Sequence, residues 1–240
     1  MNNAMSIGLS GLMALERRLE TVAHNVANTN TVGFRAEAVQ FSTKLEKAGN
    51  ANLAFAARGG EYLNMSQGTR ITTGNTLDIA VNGDAFLAQA RDDTTVYTRD
   101  GRMEISPEGQ LRSLDGYPVL DAGGAPIQVN VKGGPLIISN DGSVVQDKRR
   151  VGVIGMFDLP DPKLMQQQGS AGFEYSGFAE PITDFRRNGI LQGTLEGANV
   201  NAVAEMSEMI TISRTFESIA NALRANEEMM SGAIKTLGGG

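Results

Sequence analysis

The side chains that could carry acid–base or metal chemistry are few in this 240-residue sequence. His24 is the single histidine and cysteine is absent, which excludes a multi-histidine metal site and a thiol nucleophile. The carboxylates that could act as general acids or bases are Asp92, Asp93, Asp100, Asp115, Asp121 and Asp141. Most of them stand beside glycine or among turn residues, where an aspartate side chain hydrogen-bonds the turn backbone. We therefore expect no enzyme, no cofactor, no bound metal and no small-molecule substrate.

Composition and charge exclude several classes of partner. The net charge is −6 and the basic residues are spread along the chain, which argues against a nucleic-acid partner. No stretch approaches the roughly 18 apolar residues of a membrane span, so we expect no membrane insertion. Arg17 and Arg18 follow the apolar stretch Met5 to Leu15, whereas a secretory signal places its basic residues first. The lack of cysteine suits a location outside the reducing cytosol, reached without a cleaved signal peptide.

The last fifth of the chain, residues 201–237, carries apolar side chains at heptad intervals. The main row consists of Met209, Phe216, Leu223 and Met230, and a companion row begins at Met206. Asn199 and Asn201 precede this stretch and can cap a helix. A continuous helix of this length spans about 55 Å, and a heptad repeat sustained over it predicts a coiled-coil seam.

A second amphipathic helix is predicted over residues 4–29. Its apolar stripe repeats at spacings of three and four residues and consists of Leu12, Leu15, Leu19, Val22 and Val26. The helix runs into Asn25, Asn28 and Asn30, which are poor helix-interior residues, and then into Gly33 and Phe34. His24 has no acidic or cysteine residue directly beside it in sequence, so we interpret it as a packing or surface residue.

The region between the two helices divides into an arm and a strand-rich segment. Residues 35–68 have scattered apolar side chains interrupted by glycine and predict an extended connecting arm. Over residues 69–194, short apolar runs, including 118–120 and 126–131, alternate with turn dipeptides such as Asn82-Gly83 and Asp100-Gly101. This alternation is typical of a β-meander or barrel.

Together these elements predict an α+β protein. We expect residues 1–34 and 195–240 to form a discontinuous terminal helical domain of coiled-coil type, in which the N- and C-terminal helices pair. Residues 69–194 form an inserted β-rich domain. The C-terminal seam covers about five heptads and the N-terminal seam just over two. Because the shorter helix cannot cover the longer seam, we expect other copies or partners to bury the rest, as in a polymer or tube.

Motifs at opposite ends of the chain resemble those of the flagellar basal-body rod and hook proteins. The first, VAHNVANTNTVGF, runs from Val22 to Phe34, and the second, GTLEGANVN, begins at Gly193. Between them, DIAVNGDAF from Asp78 and YTRDG from Tyr97 are similar to the β-domain of the same family. The resemblance covers nearly the whole chain. Within the family, residues 14–19 and the short insert most resemble the proximal rod group, with the distal rod group as the alternative.

This resemblance implies a structural, non-enzymatic subunit of the flagellar basal body. Such proteins are exported unfolded by the flagellar type III export apparatus and assemble in the periplasmic rod with other proximal and distal rod subunits. Their terminal helices form the inner tube, their β-domains lie outside, and the rod transmits torque. Two alternatives stay open: a secreted β-domain that binds or cleaves glycan, and an export chaperone or length regulator that binds rod subunits transiently.

The predicted assembly interface combines the two helical stripes with the motifs beside them. On the N-terminal side it consists of Leu12, Leu15, Leu19, Val22, Asn25, Val26, Asn28, Asn30, Gly33 and Phe34. On the C-terminal side it consists of Asn199, Asn201, Met206, Met209, Phe216, Leu223 and Met230.

Overall fold

The computed structural model describes residues 2–48 and 51–238, with side chains described for residues 5–40, 62–229, 231, 232 and 235. A long helix stands at each end of the sequence, α1 over Asn2–Ala27 and α2 over Ala202–Gly238. Within this described part of the chain, no helix is both long and apolar enough to span a membrane. The chain forms two compact units, each of which collects segments that are distant in sequence.

The first unit comprises Met1–Ala27, Glu37–Tyr62 and Asn201–Gly240. It contains both helices and a two-stranded sheet formed by β1, Glu37–Ala48, and β2, Ala51–Leu63.

The two helices contact each other within this first unit. Arg18 Nε of α1 donates a hydrogen bond of 2.6 Å to Glu208 Oε1 of α2. A Cβ atom at Gly8 would lie 2.7 Å from Leu223 Cδ2, so glycine at this position permits the helices to approach closely.

The second unit comprises Asn28–Ala36 and Leu63–Val200 and is built from short strands. In chain order they are β3 Arg70–Thr72, β4 Ile79–Asn82, β5 Phe86–Arg91, β6 Thr94–Thr98, β7 Met103–Ile105, β8 Leu111–Ser113, β9 Ile137–Ile138, β10 Ser143–Gln146, β11 Arg149–Val153, β12 Met156–Asp158, β13 Met165–Gln168, β14 Gly172–Tyr175, β15 Glu180–Pro181, β16 Gly189–Gln192 and β17 Thr194–Glu196. One sheet has the order β13-β14-β6-β5-β12-β15, and a second has the order β11-β10-β9. The other strands pair two by two: β4 with β16, β3 with β17, and β7 with β8. All of these pairings are antiparallel.

The core of the second unit is formed by apolar side chains that several strands contribute. Ile79 and Val81 of β4, Leu87 of β5 and Val144 of β10 are each at most 2% exposed. The spacing of two between Ile79 and Val81 places both side chains on one face of β4, and Ala80 on the opposite face is also buried. Helix at each end and a β-rich centre confirm the α+β class.

Two of the predicted strands are wrong. Residues 118–120 and 126–131 form only isolated bridges, including one between Leu120 and Pro126. Both stretches begin with proline, at Pro118 and Pro126, and proline has no N–H group to donate to a strand ladder. In the region predicted as an extended arm, the structure places the paired strands β1 and β2.

The predicted turn dipeptides serve two different purposes. Asn82-Gly83 forms the turn between β4 and β5, with φ of +92 at Gly83. Gly101 instead lies against β4, where the Ile79 N–H donates to its carbonyl at 3.0 Å. A Cβ atom at position 101 would overlap the Ile79 carbonyl, so glycine here permits close backbone approach rather than a turn.

Candidate functional site

The buried side chain of Asn25 fixes the end of α1. Its Nδ2 donates to the Glu37 carbonyl at 2.9 Å, and the Glu37 N–H donates to its Oδ1 at 2.9 Å. The carboxamide therefore satisfies both backbone groups of the first residue of β1, as a neighbouring strand would. Nδ2 also lies 3.3 Å from Oε2 of Glu205. One side chain thus joins α1, β1 and α2 within the first unit.

Charged groups surround this junction. Burial raises the pKa of Glu205, Glu208 raises it further, and the hydrogen bond from Asn25 opposes the shift. His24 Nδ1 lies 3.3 Å from Glu37 Oε2, and 40% of the His24 side chain is exposed. His24 therefore occupies a partly exposed position, where Glu37 of the next element lies beside it.

Residues 28–36 belong to the second unit, where they lie against the end of β17. The Gly33 N–H donates to the Glu196 carbonyl at 2.8 Å, and Gly33 has a φ of +72. A Cβ atom at Gly33 would overlap the backbone between Arg99 and Asp100, so two independent constraints require glycine. The next residue, Phe34, is fully buried.

Arg35, Arg99 and Glu196 form a buried charge cluster beside this segment, and each residue is at most 2% exposed. Arg35 Nη2 lies 2.7 Å from Glu196 Oε1, and Arg99 Nη1 lies 3.1 Å from Glu196 Oε2. Two guanidinium groups therefore share one carboxylate in the interior of the unit. Charges buried in this way depend strongly on their partner, because water no longer solvates them.

Backbone groups complete the charge cluster. Arg99 donates to the carbonyls of Val81 at 3.2 Å and Gly83 at 2.6 Å, and the Gly68 N–H donates to Glu196 Oε1 at 2.8 Å. Burial lowers the pKa of Arg99 to about 10, an effect that the negative charge of Glu196 opposes. Within the described chain, Nε and Nη1 of Arg35 have no hydrogen-bond partner. Glu196 is thus the group that compensates the charge of Arg35.

Asn199 fastens three segments of the second unit together. Its Oδ1 accepts from the Ala36 N–H at 2.6 Å, while its Nδ2 donates to the carbonyls of Asn64 at 2.7 Å and Ser66 at 2.8 Å. Its own N–H donates to the Phe34 carbonyl at 3.3 Å. The side chain therefore uses both its acceptor and its donors on backbone groups.

Asn201 has a different role, at the start of α2 in the first unit. Its Oδ1 accepts from the Ala204 N–H at 3.2 Å, which is the geometry of a helix N-cap. The capping role predicted for Asn201 is confirmed.

The residues of the predicted assembly interface differ widely in burial. Val22, Asn25, Gly33 and Phe34 are buried, and Asn30, Asn201 and Met206 are exposed. Half-buried positions are Leu12, Leu15, Leu19, Val26, Asn28, Asn199, Met209, Phe216 and Leu223. The side chain of Met230 lies outside the described residues.

Each helix also carries an exposed apolar row. The row of α1 consists of Met5, Leu9 and Met13, spaced four residues apart, with exposures of 47%, 56% and 64%. The row of α2 consists of Val203, Met206 and Ile210, with exposures of 75%, 51% and 55%. Spacings of three and four residues place each row on one face of its helix.

Sequence reasoning missed several residues of these arrangements. Of the six residues in the exposed rows, the predicted interface contains only Met206. Their helical spacing could have identified the other five, which are Met5, Leu9, Met13, Val203 and Ile210. The charge cluster was missed because Arg99 and Glu196 are 97 positions apart, and no local pattern connects them. One signal in the sequence could have indicated the charge cluster, namely a charged residue directly after an apolar one. Arg35 follows Phe34, and Glu196 follows Leu195.

The arrangement can hold chain segments together. Among the residues that the structure describes, no group of three or more His, Cys, Asp or Glu is placed to hold a metal ion.

Comparison with known proteins agrees with this picture along the whole chain. Three family models match: "Flagella basal body rod protein" over residues 5–35, "Flagellar hook protein FlgE/F/G D1 domain" over residues 80–146, and "Flagellar basal body rod FlgEFG protein C-terminal" over residues 191–236. The first and last matches contain the asparagine and glycine motifs at the two ends of the second unit.

Individual relatives match at full length. The chain is 43% identical to the flagellar basal-body rod protein FlgF of Mesorhizobium japonicum, with 99% of each chain covered. It is 38% identical to FlgF of Rhizobium meliloti, covering 100% of this chain and 99% of the relative. The similarity to the rod protein FlgG of Bacillus subtilis is weaker, at 28% identity over 93% of this chain and 94% of that protein. Both ends, the middle and the full length thus point the same way: the chain belongs to the flagellar basal-body rod protein family, and within it is most similar to FlgF.

Proposed function

We propose that this protein is a structural subunit of the proximal part of the flagellar rod, which assembles with neighbouring rod subunits through its terminal helices. The observation that carries the proposal is the pair of exposed apolar rows, Met5, Leu9 and Met13 on α1 and Val203, Met206 and Ile210 on α2. Contiguous apolar surface of this kind is unfavourable in water and is buried when subunits associate.

The half-buried stripes extend these exposed rows. Met209, Phe216 and Leu223 are only partly covered, and so are Leu12 and Leu15. We infer that neighbouring subunits complete the burial of both stripes in a coiled-coil arrangement, because a heptad repeat suits packing along a long helix axis. The first unit, in which β1 and β2 accompany the two helices, is then the assembling part, and the second unit is the brace.

The buried motif residues have a positioning role in this proposal. Other segments of the same chain contact the side chain or backbone of each of these residues, which are Asn25, Gly33, Phe34 and Asn199. They fix the conformation of the segments that flank the helices, while the exposed rows supply the contacts with other subunits.

The relatives are named flagellar basal-body rod proteins, which supports a place in the basal body. We infer that the protein resides there in the periplasmic rod, transmits torque and contacts proximal and distal rod proteins. We propose that it reaches this place through the flagellar type III export apparatus and that it has no enzymatic activity. A distal rod position is the alternative, but the FlgG relative is less similar than the FlgF relatives.

A pair of substitutions on α2 tests the assembly role. Ile210→Glu places a charge in the exposed row, whereas Thr215→Glu places the same charge at an exposed position outside the row. We expect I210E to abolish swimming in soft agar and to be missing from purified basal bodies, while T215E behaves as wild type. Wild-type swimming of an I210E strain would contradict assembly through this face.

A further inference from the structure

The second unit contains a polar cleft of about 460 Å³ that none of the contacts described above uses. Its floor is one face of the sheet that contains β5, β6 and β14, where Gln89 is paired with Val96 and Thr98 with Gly172. Asp115 and Tyr117, which follow β8, form part of the wall. The volume lies within the range of about 300–1,000 Å³ that is usual for ligand sites.

Gln89 is the residue that points to a ligand. It is 8% exposed, and its carboxamide has no hydrogen-bond partner among the residues that the structure describes. The carboxamide atoms keep contact with the open space of the cleft, because they are not among the fully buried side-chain atoms that lack a partner. Because Gln89 lines the cleft, a ligand in the cleft can supply the missing hydrogen bonds.

Arg91 presents a second set of unused donors, two residues along the same strand. Its guanidinium carbon lies 5.2 Å from the centroid of the Tyr117 ring, and in the described part of the chain it forms no ion pair. Stacking on an aromatic ring holds the planar guanidinium in a fixed orientation. Arg91 is therefore oriented beside Gln89 without being neutralised by an acidic residue.

The charges of the cleft argue against an anionic ligand. Asp100 accepts from Arg102 through both of its oxygens, from Nε at 3.0 Å and from Nη2 at 2.6 Å, so this pair is self-contained. Arg91 and Asp115 then contribute one charge of each sign, and the lining is neutral as a whole. A neutral lining gives a polyanion no net attraction.

The chemistry of the unused groups instead suits hydroxyl groups. Gln89 and Tyr117 can each donate and accept, Arg91 can only donate, and an ionised Asp115 can only accept. A sugar hydroxyl also donates and accepts, so it can satisfy either kind of partner. We propose that this cleft binds a segment of a neutral glycan.

Gly172 permits close packing at the floor of the cleft. A Cβ atom at this position would lie 2.6 Å from Val96 Cγ1 and 2.9 Å from the Gln168 carbonyl. The absence of a side chain therefore leaves room for Val96 on this face of the sheet. The proposal is one of binding and not of cleavage, because glycosidases use a pair of carboxyl groups and Arg102 occupies both oxygens of Asp100, which leaves only Asp115 in the lining.

The test is a titration of the full-length protein with each of two neutral tetrasaccharides, chitotetraose and maltotetraose. Changes in the amide chemical shifts measured by NMR report the binding. The matched variants are Gln89→Leu in the cleft and Gln128→Leu, which changes an exposed glutamine outside it. We expect shifts centred on Gln89, Arg91 and Tyr117 with at least one of the sugars. Q89L should bind about tenfold more weakly, and Q128L should bind as wild type.

Because Gln89 makes no side-chain hydrogen bond within the described chain, Q89L should keep its melting temperature, so weaker binding will not reflect unfolding. Arg91→Met provides a second variant with the same expected loss. The proposal is overturned if neither sugar shifts these residues at millimolar concentration, which would leave water as the only occupant. It is also overturned if Q89L and R91M bind as wild type, or if inorganic tripolyphosphate binds the cleft more tightly than both sugars.

Discussion

Arg35 and Glu196 form an ion pair in the interior of the second unit, with 2.7 Å between Nη2 and Oε1 and side-chain exposures of 0% and 2%. Arg35 lies in the first segment of that unit and Glu196 lies four residues before its end at Val200. The pair therefore joins the two ends of the sequence that builds the unit. Removing one partner of such a pair leaves an uncompensated buried charge, which is far more costly than the pair is stabilising.

Glu196→Gln should destabilise the second unit severely. Glutamine is similar in shape, but it leaves two buried guanidinium groups without a negative charge, so we expect a loss of about 3–5 kcal/mol in the free energy of unfolding. Urea unfolding monitored by tyrosine fluorescence will measure this free energy, since Tyr97, Tyr117 and Tyr175 lie in this unit.

The control for this substitution is Glu104→Gln, which changes an exposed glutamate of β7. It should shift the free energy of unfolding by no more than about 0.5 kcal/mol. If E196Q unfolds at the same urea concentration as E104Q, the charge cluster does not stabilise the unit.

Glu205→Gln should stabilise the first unit at neutral pH. The folded state holds its Glu205 proton at pH values where the unfolded chain has already released it, because burial raises the pKa above its ordinary value of 4.5. The contribution of Glu205 to stability is therefore present below pH 4.5 and is lost as the pH rises through the higher folded pKa.

Thermal unfolding followed by helix circular dichroism should show this pH dependence. We expect E205Q to melt above wild type at about pH 7 and together with wild type at about pH 3.5. Glu217→Gln, an exposed position on the same helix, should give no such pH-dependent difference. An E205Q advantage that is equal at both pH values would exclude the titration of Glu205 as its cause.

Asn199→Asp and Asn201→Asp should have opposite effects although they are two residues apart. Aspartate at 199 keeps the acceptor for the Ala36 N–H but loses the donors to the carbonyls of Asn64 and Ser66. We expect N199D to cost about 1–3 kcal/mol, because those carbonyls then face a negative charge.

Aspartate at 201 keeps the cap on the Ala204 N–H and adds a negative charge at the positive end of the α2 dipole. We expect N201D to be neutral or more stable by about 0.3–1 kcal/mol. Urea unfolding of both variants, read by tyrosine fluorescence and helix circular dichroism, separates the two outcomes. Equal losses for both variants would show that the two asparagines share one role.

Local sequence patterns were sufficient to predict the helices and many of the turns. The three- and four-residue spacing of Leu12, Leu15 and Leu19 indicated α1, and the heptads from Met209 indicated α2. Asn82-Gly83 indicated a turn because a positive φ favours glycine. The motifs at the two ends of the sequence were sufficient to identify the family. These inferences succeeded because each depends on residues within a few positions of one another.

Other features could not be inferred in this way. Residues 118–120 and 126–131 have an apolar pattern that indicated strands, but how many residues of each stretch pair with a neighbouring segment depends on the fold around them. Gly101 appeared in a turn dipeptide, yet its reason for being glycine is the carbonyl of Ile79, on another strand. The unused amide of Gln89 is visible only when the surrounding sheet is known.

The sequence by itself determined the helices at both ends, the β-rich centre and the family, because helical periodicity and turn chemistry are local properties. The tertiary structure decided which polar residues hold the chain together. Nearly the whole second unit lies between Arg35 and Glu196 in sequence, and Asn199 contacts Asn64 and Ser66 across a similar distance in sequence. A buried charge is stabilised by the partner that lies closest to it in space, and folding alone sets that distance.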